Sequence, residues 1–151
     1  MLLVGASVSI VGLAVRAWAA GHIRKNAKLA TSGPYAFTRN PLYLGSFLLG
    51  LGFTVASGRW LLGVLFAALF LGIYLPVMRV EATHLAELFG NEFEAYRQAV
   101  PLFFPRITPF RQNESAANRF DGSLYLRYRE YRAALGLMIA WGLLLIKTYY
   151  F

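Results

Sequence analysis

Residues 40–78 read NPLYLGSFLLGLGFTVASGRWLLGVLFAALFLGIYLPVM, and Arg59 is their single charged side chain. A helix needs about 20 apolar residues to cross the hydrocarbon core of a bilayer. The polar break at 57–59 divides the stretch and has the composition of a tight turn. The stretch therefore predicts two membrane spans, near 41–57 and 60–79, joined as an antiparallel hairpin.

Two more apolar blocks flank this hairpin. Residues 1–23 contain one charged side chain, Arg16, and residues 133–146 contain none. We expect spans near 2–21 and 133–150. Because no basic residues precede the first block, we interpret it as a retained helix rather than a cleaved signal peptide. Snorkelling to the interface is the favoured interpretation of Arg16, over a role in a site.

Composition indicates the fold class. The 151 residues are 58% hydrophobic and 15% charged, whereas a soluble domain carries about 25% charged residues. This composition excludes an ordinary water-soluble domain. It predicts an all-α protein: a polytopic membrane bundle of about four transmembrane helices with cytoplasmic interfacial helices, which we expect to form a single membrane-embedded domain over 1–151.

The basic residues indicate how the bundle is oriented. If the hairpin tip lies on one side of the membrane, the hydrophilic stretches 22–40 and 80–132 lie on the other. Together with Arg79 they carry twelve of the 15 Lys and Arg residues, and the positive-inside rule places such loops in the cytoplasm. We therefore expect a multi-pass integral membrane protein with an outside N-terminus. Its net charge of +8 should meet anionic membrane lipids rather than nucleic acid.

The chain has no Cys and two His. Disulfides, thiolate nucleophiles and Cys-ligated metals are therefore excluded, and two His are too few for a His-rich metal site. We expect no metal site.

Residues 31–45 read TSGPYAFTRNPLYLG, which is unusual for a plain loop. Two prolines restrict the backbone, and Pro41 falls in the first turn of the second span, where a helix tolerates proline. The pattern predicts a rigid turn near the headgroup level that leads into a helix N-terminus. Its side chains suit either a flat, charged ligand or simple interfacial anchoring; they are Tyr35, Phe37, Arg39, Asn40 and Tyr43.

Residues 81–100 repeat apolar side chains at helical spacing, which predicts an amphipathic helix after the third span. Glu81 falls on the apolar stripe, where a carboxylate is costly unless it is paired. A salt bridge to Arg79 or Arg39 and contact with a ligand are equally consistent with this position. His84 is interpreted as an interfacial His more readily than as a base.

The rest of the chain offers no comparable motif. PLFFPRITPF at 101–110 is too rich in Pro for a helix and too apolar for a solvated linker, so we expect it to lie along the interface. Residues 114–122 predict a flexible turn. The interleaved Tyr and Arg residues of 125–132 predict an interfacial helix whose arginines contact lipid phosphates before the last span.

The segment GPYAFTRNPLYLG, together with the stretch from Glu81 through LAELFGNEFEAYRQAVP, resembles the integral-membrane methyltransferases that include isoprenylcysteine carboxyl methyltransferase and the phospholipid N-methyltransferases. Those families carry GPY-x-x-x-R-H-P-x-Y-x-G and, after a hydrophobic hairpin, E-E-x-x-L-x-x-x-F-G-x-x-Y-x-x-Y with a following Pro. The resemblance covers the motif core, 31–105, and leaves 106–151 unmatched. It implies a membrane-embedded S-adenosylmethionine site, and the chain accordingly has no strand–GxGxxG–helix unit.

The resemblance also assigns residues. The element R-H-P-x-Y-x-G corresponds to Arg39, Asn40, Pro41, Tyr43 and Gly45. Glu81 stands at the first acid of the E-E pair, Asn40 replaces the family's His, and Ala82 replaces the second Glu. Arg39 and Glu81 are implied to be catalytic. The residues implied to bind the cofactor are Tyr35, Arg39, Asn40, Pro41, Tyr43, Gly45, Glu81 and His84.

The leading interpretation is S-adenosylmethionine-dependent methyl transfer to a lipophilic small molecule or prenylated acceptor that arrives from the bilayer. Because Asn40 and Ala82 remove two candidate proton acceptors, a carboxylate acceptor, which needs no general base, is favoured over an amine. The alternatives are a phospholipid N-methyltransferase, an NADPH-dependent enzyme of the sterol-reductase type, and a non-enzymatic lipid-binding or scaffold protein. The oligomeric state stays open.

Overall fold

The computed structural model describes residues 1–24, 27–111 and 119–150. These residues contain no β-strand, only an isolated bridge between Arg24 and Lys28. The all-α prediction is therefore confirmed. The elements are α1 (Leu2–Ala20), a 3₁₀ helix (Gly33–Ala36), α2 (Pro41–Ala56), α3 (Trp60–Phe89), α4 (Asn91–Ala99), α5 (Gly122–Arg127) and α6 (Tyr131–Tyr150).

Four apolar helices coincide with the four predicted spans. By length and composition, α1, α3 and α6 can each cross a membrane, whereas α2, with 16 residues, is shorter. Many large apolar side chains of α3 and α6 are exposed, which suits surfaces that face lipid rather than water. The chain is an integral membrane protein.

Helix α3 continues well past the predicted end of its span. Its 30 residues extend about 45 Å at 1.5 Å per residue, which exceeds a hydrocarbon core of about 30 Å. The helix predicted over 81–100 is confirmed in part: residues 81–89 continue α3 without a break, and Asn91–Ala99 form α4. The break falls at Gly90, whose φ is +52°, a left-handed conformation that favours glycine, and α4 follows.

Helices α1 and α2 pack closely because small residues line their contact. A Cβ atom added at Gly12 would lie 2.6 Å from the carbonyl oxygen of Gly45, and one added at Gly5 would lie 2.3 Å from that of Gly52. Ser9 Oγ donates a hydrogen bond to the carbonyl of Leu49. Small residues that let helix backbones approach are the usual interface of membrane helices, and here they fix the start of α2 against α1.

We expect Gly12→Ala to destabilise the protein by about 1–3 kcal/mol, because the added methyl group forces two backbones apart. The loss should appear as a lower melting temperature in detergent. Gly72→Ala in α3 is the matched control, since a Cβ there meets no atom within 4 Å and an exposed Gly→Ala change in a helix is neutral or stabilising. Equal melting temperatures for the two variants would contradict the close contact.

Residues 101–110 form no helix, as predicted, and lie against the turn that precedes α2. The amide of Arg39 donates to the carbonyl of Pro101 (3.0 Å), and the amides of Arg106 and Phe110 donate to the carbonyls of Phe37 and Ala36 (2.9 Å each). Thr38, which is buried, donates its hydroxyl to Phe103 O at 2.9 Å. The two segments therefore brace each other through main-chain hydrogen bonds.

The described C-terminal residues return to the end of α1. Of the turn predicted over 114–122, residues 114–118 lie outside the described residues. The amide of Asp121 donates to the carbonyl of Gly21 at 2.9 Å, and the Asp121 carboxylate accepts from the amide of Ser123 to cap α5. A turn at 128–130 then leads into α6, and its Arg129 has a φ of +56°.

Candidate active site

A cavity of about 470 Å³ lies at the start of α2. Side chains from α1, the 3₁₀ helix, α2, α3, α4 and the turn before α6 line it. Eight residues were predicted to form the site. One of them, Gly45, lies instead in the contact between α1 and α2, where an added Cβ atom would come within 2.5 Å of its nearest neighbour. The structure thus brings both sequence motifs to one cavity. Seven of the eight predicted residues line it: Tyr35, Arg39, Asn40, Pro41, Tyr43, Glu81 and His84.

Tyr35 forms a fixed aromatic wall of the cavity. It lies in the 3₁₀ helix, is buried, and its carbonyl accepts a hydrogen bond of 2.6 Å from the hydroxyl of Tyr96. Burial, followed by the nearby Tyr96 and Glu81, raises the pKa of the Tyr35 phenol well above its usual range. The phenol therefore stays neutral and acts as a hydrogen-bond donor or acceptor rather than as a charge.

Arg39 lines the cavity and carries a hydrogen-bond donor that has no partner in the described part of the chain. Its main chain is held by Pro101, but its buried Nε has no hydrogen-bond partner among the described residues. Burial lowers the pKa of the guanidinium, an effect partly opposed by Tyr96, yet arginine stays protonated in proteins. A buried, unpaired N–H is costly, so this group suits an anionic ligand.

Glu81 lies at the exposed rim of the cavity, which corrects the expectation of a carboxylate on a buried stripe. The hydroxyl of Tyr43 is 3.5 Å from Glu81 Oε2, at the limit of a hydrogen bond. The described residues form two salt bridges, and neither includes Glu81, so the alternative of a salt bridge to Arg79 or Arg39 is not realised. His84, one helical turn further on, is also exposed and lines the same cavity.

Asn40 has a structural hydrogen bond where the related motif carries His. Its Nδ2 donates to the carbonyl of Leu102 at 2.9 Å and so ties the start of α2 to the 101–110 segment. Pro41 follows as the first residue of α2 and is buried. Both residues line the cavity. Asn40 shapes it through the side-chain hydrogen bond, and Pro41 through the start of α2.

The sequence did not predict a partly buried ion pair in the cavity wall. Arg16 donates from Nε (3.0 Å) and Nη2 (2.8 Å) to Glu130 Oε2, and from Nη2 to Oε1 (2.9 Å). Its Nη1 donates to the carbonyl of Leu42 and the hydroxyl of Ser46. Arg16 is thus paired within the protein, and its reach to the membrane interface stays a prediction. The signal was faint: Arg16 is the single charge in 1–23, and Glu130 is the single acid after Asp121.

Aromatic and apolar side chains complete the lining. Met78 and Phe93 are almost fully buried, and Tyr43 contacts Tyr74 with ring centroids 5.3 Å apart. Further lining residues with large side chains of this kind are Ile23, Leu29, Leu42, Leu85, Phe89, Tyr96 and Leu102. Within the described ranges, no group of three or more His, Cys, Asp or Glu residues could hold a metal ion. The site is thus an aromatic cavity with separate cationic and anionic groups, suited to an organic ligand.

An aromatic, charged cavity at one end of a bundle of membrane helices defines a membrane-embedded binding site, and comparison with known proteins assigns the family. Residues 2–92 match the family model of the phospholipid methyltransferases. The chain belongs to this family, as the motifs predicted.

Three relatives are similar to the chain over more than half of its length. The chain is 38% identical over 111 residues to the cobalt-zinc-cadmium resistance protein CzcN of Cupriavidus metallidurans, covering 72% of this chain and 50% of that protein. It is 34% identical over 115 residues to the nickel-cobalt-cadmium resistance protein NccN of Alcaligenes xylosoxydans xylosoxydans, covering 75% and 52%. It is 32% identical over 83 residues to the protein-S-isoprenylcysteine O-methyltransferase of Schizosaccharomyces pombe, covering 55% and 35%.

The chain spans about half the length of the two resistance proteins it matches. No solved structure matches the chain.

Proposed function

We propose that the chain transfers a methyl group from S-adenosylmethionine to a lipophilic acceptor at the membrane surface. The observation that carries this proposal is the cavity at the start of α2, where Arg39, with its unpartnered Nε, and the carboxylate of Glu81 line one space. Membership of the phospholipid methyltransferase family supports it.

The lining residues fit S-adenosylmethionine chemically. A volume of about 470 Å³ is within the roughly 300–1,000 Å³ of pockets for small molecules and cofactors. Arg39 suits the carboxylate of the cofactor, and Glu81 suits its ammonium group or ribose hydroxyls. Tyr35 and Tyr43 offer aromatic faces to the adenine or the sulfonium. When bound, the cofactor supplies an electrophilic methyl group.

The chain's own residues then act by positioning and by excluding water. Methyl transfer needs two reactants in line at short distance, and fixed geometry is the main contribution a protein makes to such a step. Tyr35 is held by Tyr96, and the turn that carries Arg39 is braced by 101–110. The backbone that carries Tyr35 and Arg39, the two groups we propose to face the cofactor, is thus held in place before the cofactor binds.

The acceptor we propose is a carboxylate. The nitrogen of an ammonium headgroup must lose a proton before it can attack, whereas a carboxylate is ionised near neutral pH. Asn40 cannot titrate and its amide is tied to Leu102, and Glu130 is paired with Arg16. We assign Glu81 to the cofactor, which leaves His84 as the one further candidate base among the described lining residues. The relative from Schizosaccharomyces pombe is named as an O-methyltransferase of isoprenylcysteine, which supports this acceptor class over the phospholipid amine.

We further propose that the cavity faces the cytoplasm. The described parts of the two basic stretches, 22–40 and 80–132, meet at the end of the bundle that holds the cavity, as the hydrogen bonds between 36–39 and 101–110 require. The positive-inside rule places that end in the cytosol. The cofactor then arrives from water and the acceptor from the bilayer.

Purified protein in detergent should bind S-adenosylmethionine and not NADPH. With radiolabelled cofactor, it should methylate N-acetyl-S-farnesylcysteine and leave phosphatidylethanolamine unmodified. Binding of NADPH instead would favour the reductase alternative. Methylation of phosphatidylethanolamine alone would keep the enzyme class and overturn the carboxylate acceptor.

A further inference from the structure

The Arg16–Glu130 pair occupies the wall of the cavity in a geometry that a bound carboxylate would adopt. The two side chains are 22% and 11% exposed, and the guanidinium grips both carboxylate oxygens. All three nitrogens of Arg16 donate hydrogen bonds, two to Glu130 and one to α2. Two-point contact of this kind is how arginine recognises carboxylates in general.

Arg16 also lies where a lipophilic acceptor would present its charged group. The cavity-lining cations of the described residues are Arg16, Arg24, Lys28 and Arg39. Of these, Arg16 alone belongs to an apolar spanning helix, α1. An ionisable residue inside a membrane span is costly, and such residues generally mark ligand pathways. An acceptor with an apolar tail in the bilayer therefore meets Arg16 before it meets the loop cations.

The partner of Arg16 lies beside a residue in an unfavourable backbone conformation. Glu130 sits in the turn between α5 and α6, directly after Arg129, whose left-handed φ of +56° is unfavourable for a residue with a side chain. Helix α6 has no buried residue among those described. Moving this turn would therefore uncover little apolar surface.

From these contacts we propose that Arg16 is the binding residue for the acceptor's carboxylate, and that Glu130 occupies it as an internal substitute until the acceptor displaces it. This inference rests on the proposed carboxylate acceptor. The ligand class is a lipophilic carboxylate, with its apolar part toward the bilayer. Because Glu130 competes for Arg16, the apparent affinity for such a ligand is its intrinsic affinity multiplied by the fraction of molecules in which Arg16 is free.

The test is equilibrium binding of N-acetyl-S-farnesylcysteine and of its methyl ester, without cofactor, in non-ionic detergent. Glu130→Gln keeps the shape and hydrogen bonding of the side chain and removes its charge. It should bind the acid about 10-fold more tightly, since one charge-assisted contact is worth about 1.5 kcal/mol or more. The ester should bind equally to both proteins. Glu94→Gln, an exposed ion-pair partner remote from the cavity, is the control and should change nothing.

Arg16→Gln alone leaves the partly buried Glu130 carboxylate without its partner, so a loss of stability would obscure any effect on binding. The double variant Arg16→Gln/Glu130→Gln is neutral on both sides, and it should bind the acid at least about 10-fold more weakly than Glu130→Gln. If the Arg16–Glu130 pair only stabilises the fold, both variants should lose affinity for the acid, or the acid and the ester should respond alike. Either result would overturn the proposal. Binding of S-adenosylmethionine is measured on the same samples, so failure of the proposed function is seen separately from failure at Arg16.

Discussion

Arg39→Gln should weaken the binding of S-adenosylmethionine by about 10- to 150-fold, because a charge-assisted hydrogen bond is worth roughly 1.5–3 kcal/mol. Arg39 lines the cavity and its buried Nε has no partner among the described residues, so we expect the guanidinium to pair with the cofactor carboxylate. Arg39→Lys should recover only part of the loss, since an ammonium cannot reproduce the planar guanidinium. Equilibrium binding to purified protein measures both effects.

Three further substitutions serve as comparisons for Arg39→Gln. Arg97→Gln removes an exposed arginine that pairs with Glu94 outside the cavity, and cofactor binding should be unchanged. Glu81→Gln should weaken binding less than Arg39→Gln, because the Glu81 side chain is exposed to solvent, whereas Glu87→Gln should have no effect. If Arg39→Gln and Arg97→Gln bind the cofactor alike, Arg39 does not contact it.

Phe93→Ala should cost about 3–5 kcal/mol of stability, the usual range for a buried Phe reduced to Ala. Phe93 is 1% exposed and packs with Leu29, Tyr96 and Val100. This cluster fastens α4 beneath the cavity, and Tyr96 in turn holds Tyr35. The melting temperature in detergent should fall, and cofactor binding should weaken because the aromatic wall is no longer supported.

Phe104→Ala is the matched control for this loss. Phe104 is 69% exposed, so its removal leaves no cavity and should change the melting temperature little. A similar drop for both variants would show that α4 is not held by the Phe93 cluster.

Hydrophobic pattern predicted the four apolar helices, because each span is a long run of side chains with almost no charge. The order and spacing of the motifs predicted which residues would meet, and seven of the eight now line one cavity. Gly45 fell outside it since a glycine in such a motif serves close helix packing as readily as ligand contact.

The sequence alone could not predict polar contacts between residues that are far apart along the chain. Arg16 and Glu130 are 114 positions apart, and nothing local distinguishes a paired intramembrane arginine from one that reaches the interface. The sequence placed Glu81 on the apolar face of a helix, whereas its side chain is exposed. Periodicity identifies which residues share a helix face, but the neighbouring segments determine which part of that face is covered. The end of α3 was also missed, because no residue between 80 and 89 interrupts a helix.

The glycine-lined contact between α1 and α2 affects how the bundle responds to bilayers of different thickness. A bundle adapts to hydrophobic mismatch when its helices tilt or slide. Backbone contacts at Gly5 and Gly12 block sliding, so the two helices tilt as one body. Arg16 on α1 and Ser46 on α2 therefore keep their positions relative to each other, and the polar wall of the cavity keeps its shape from one membrane to another.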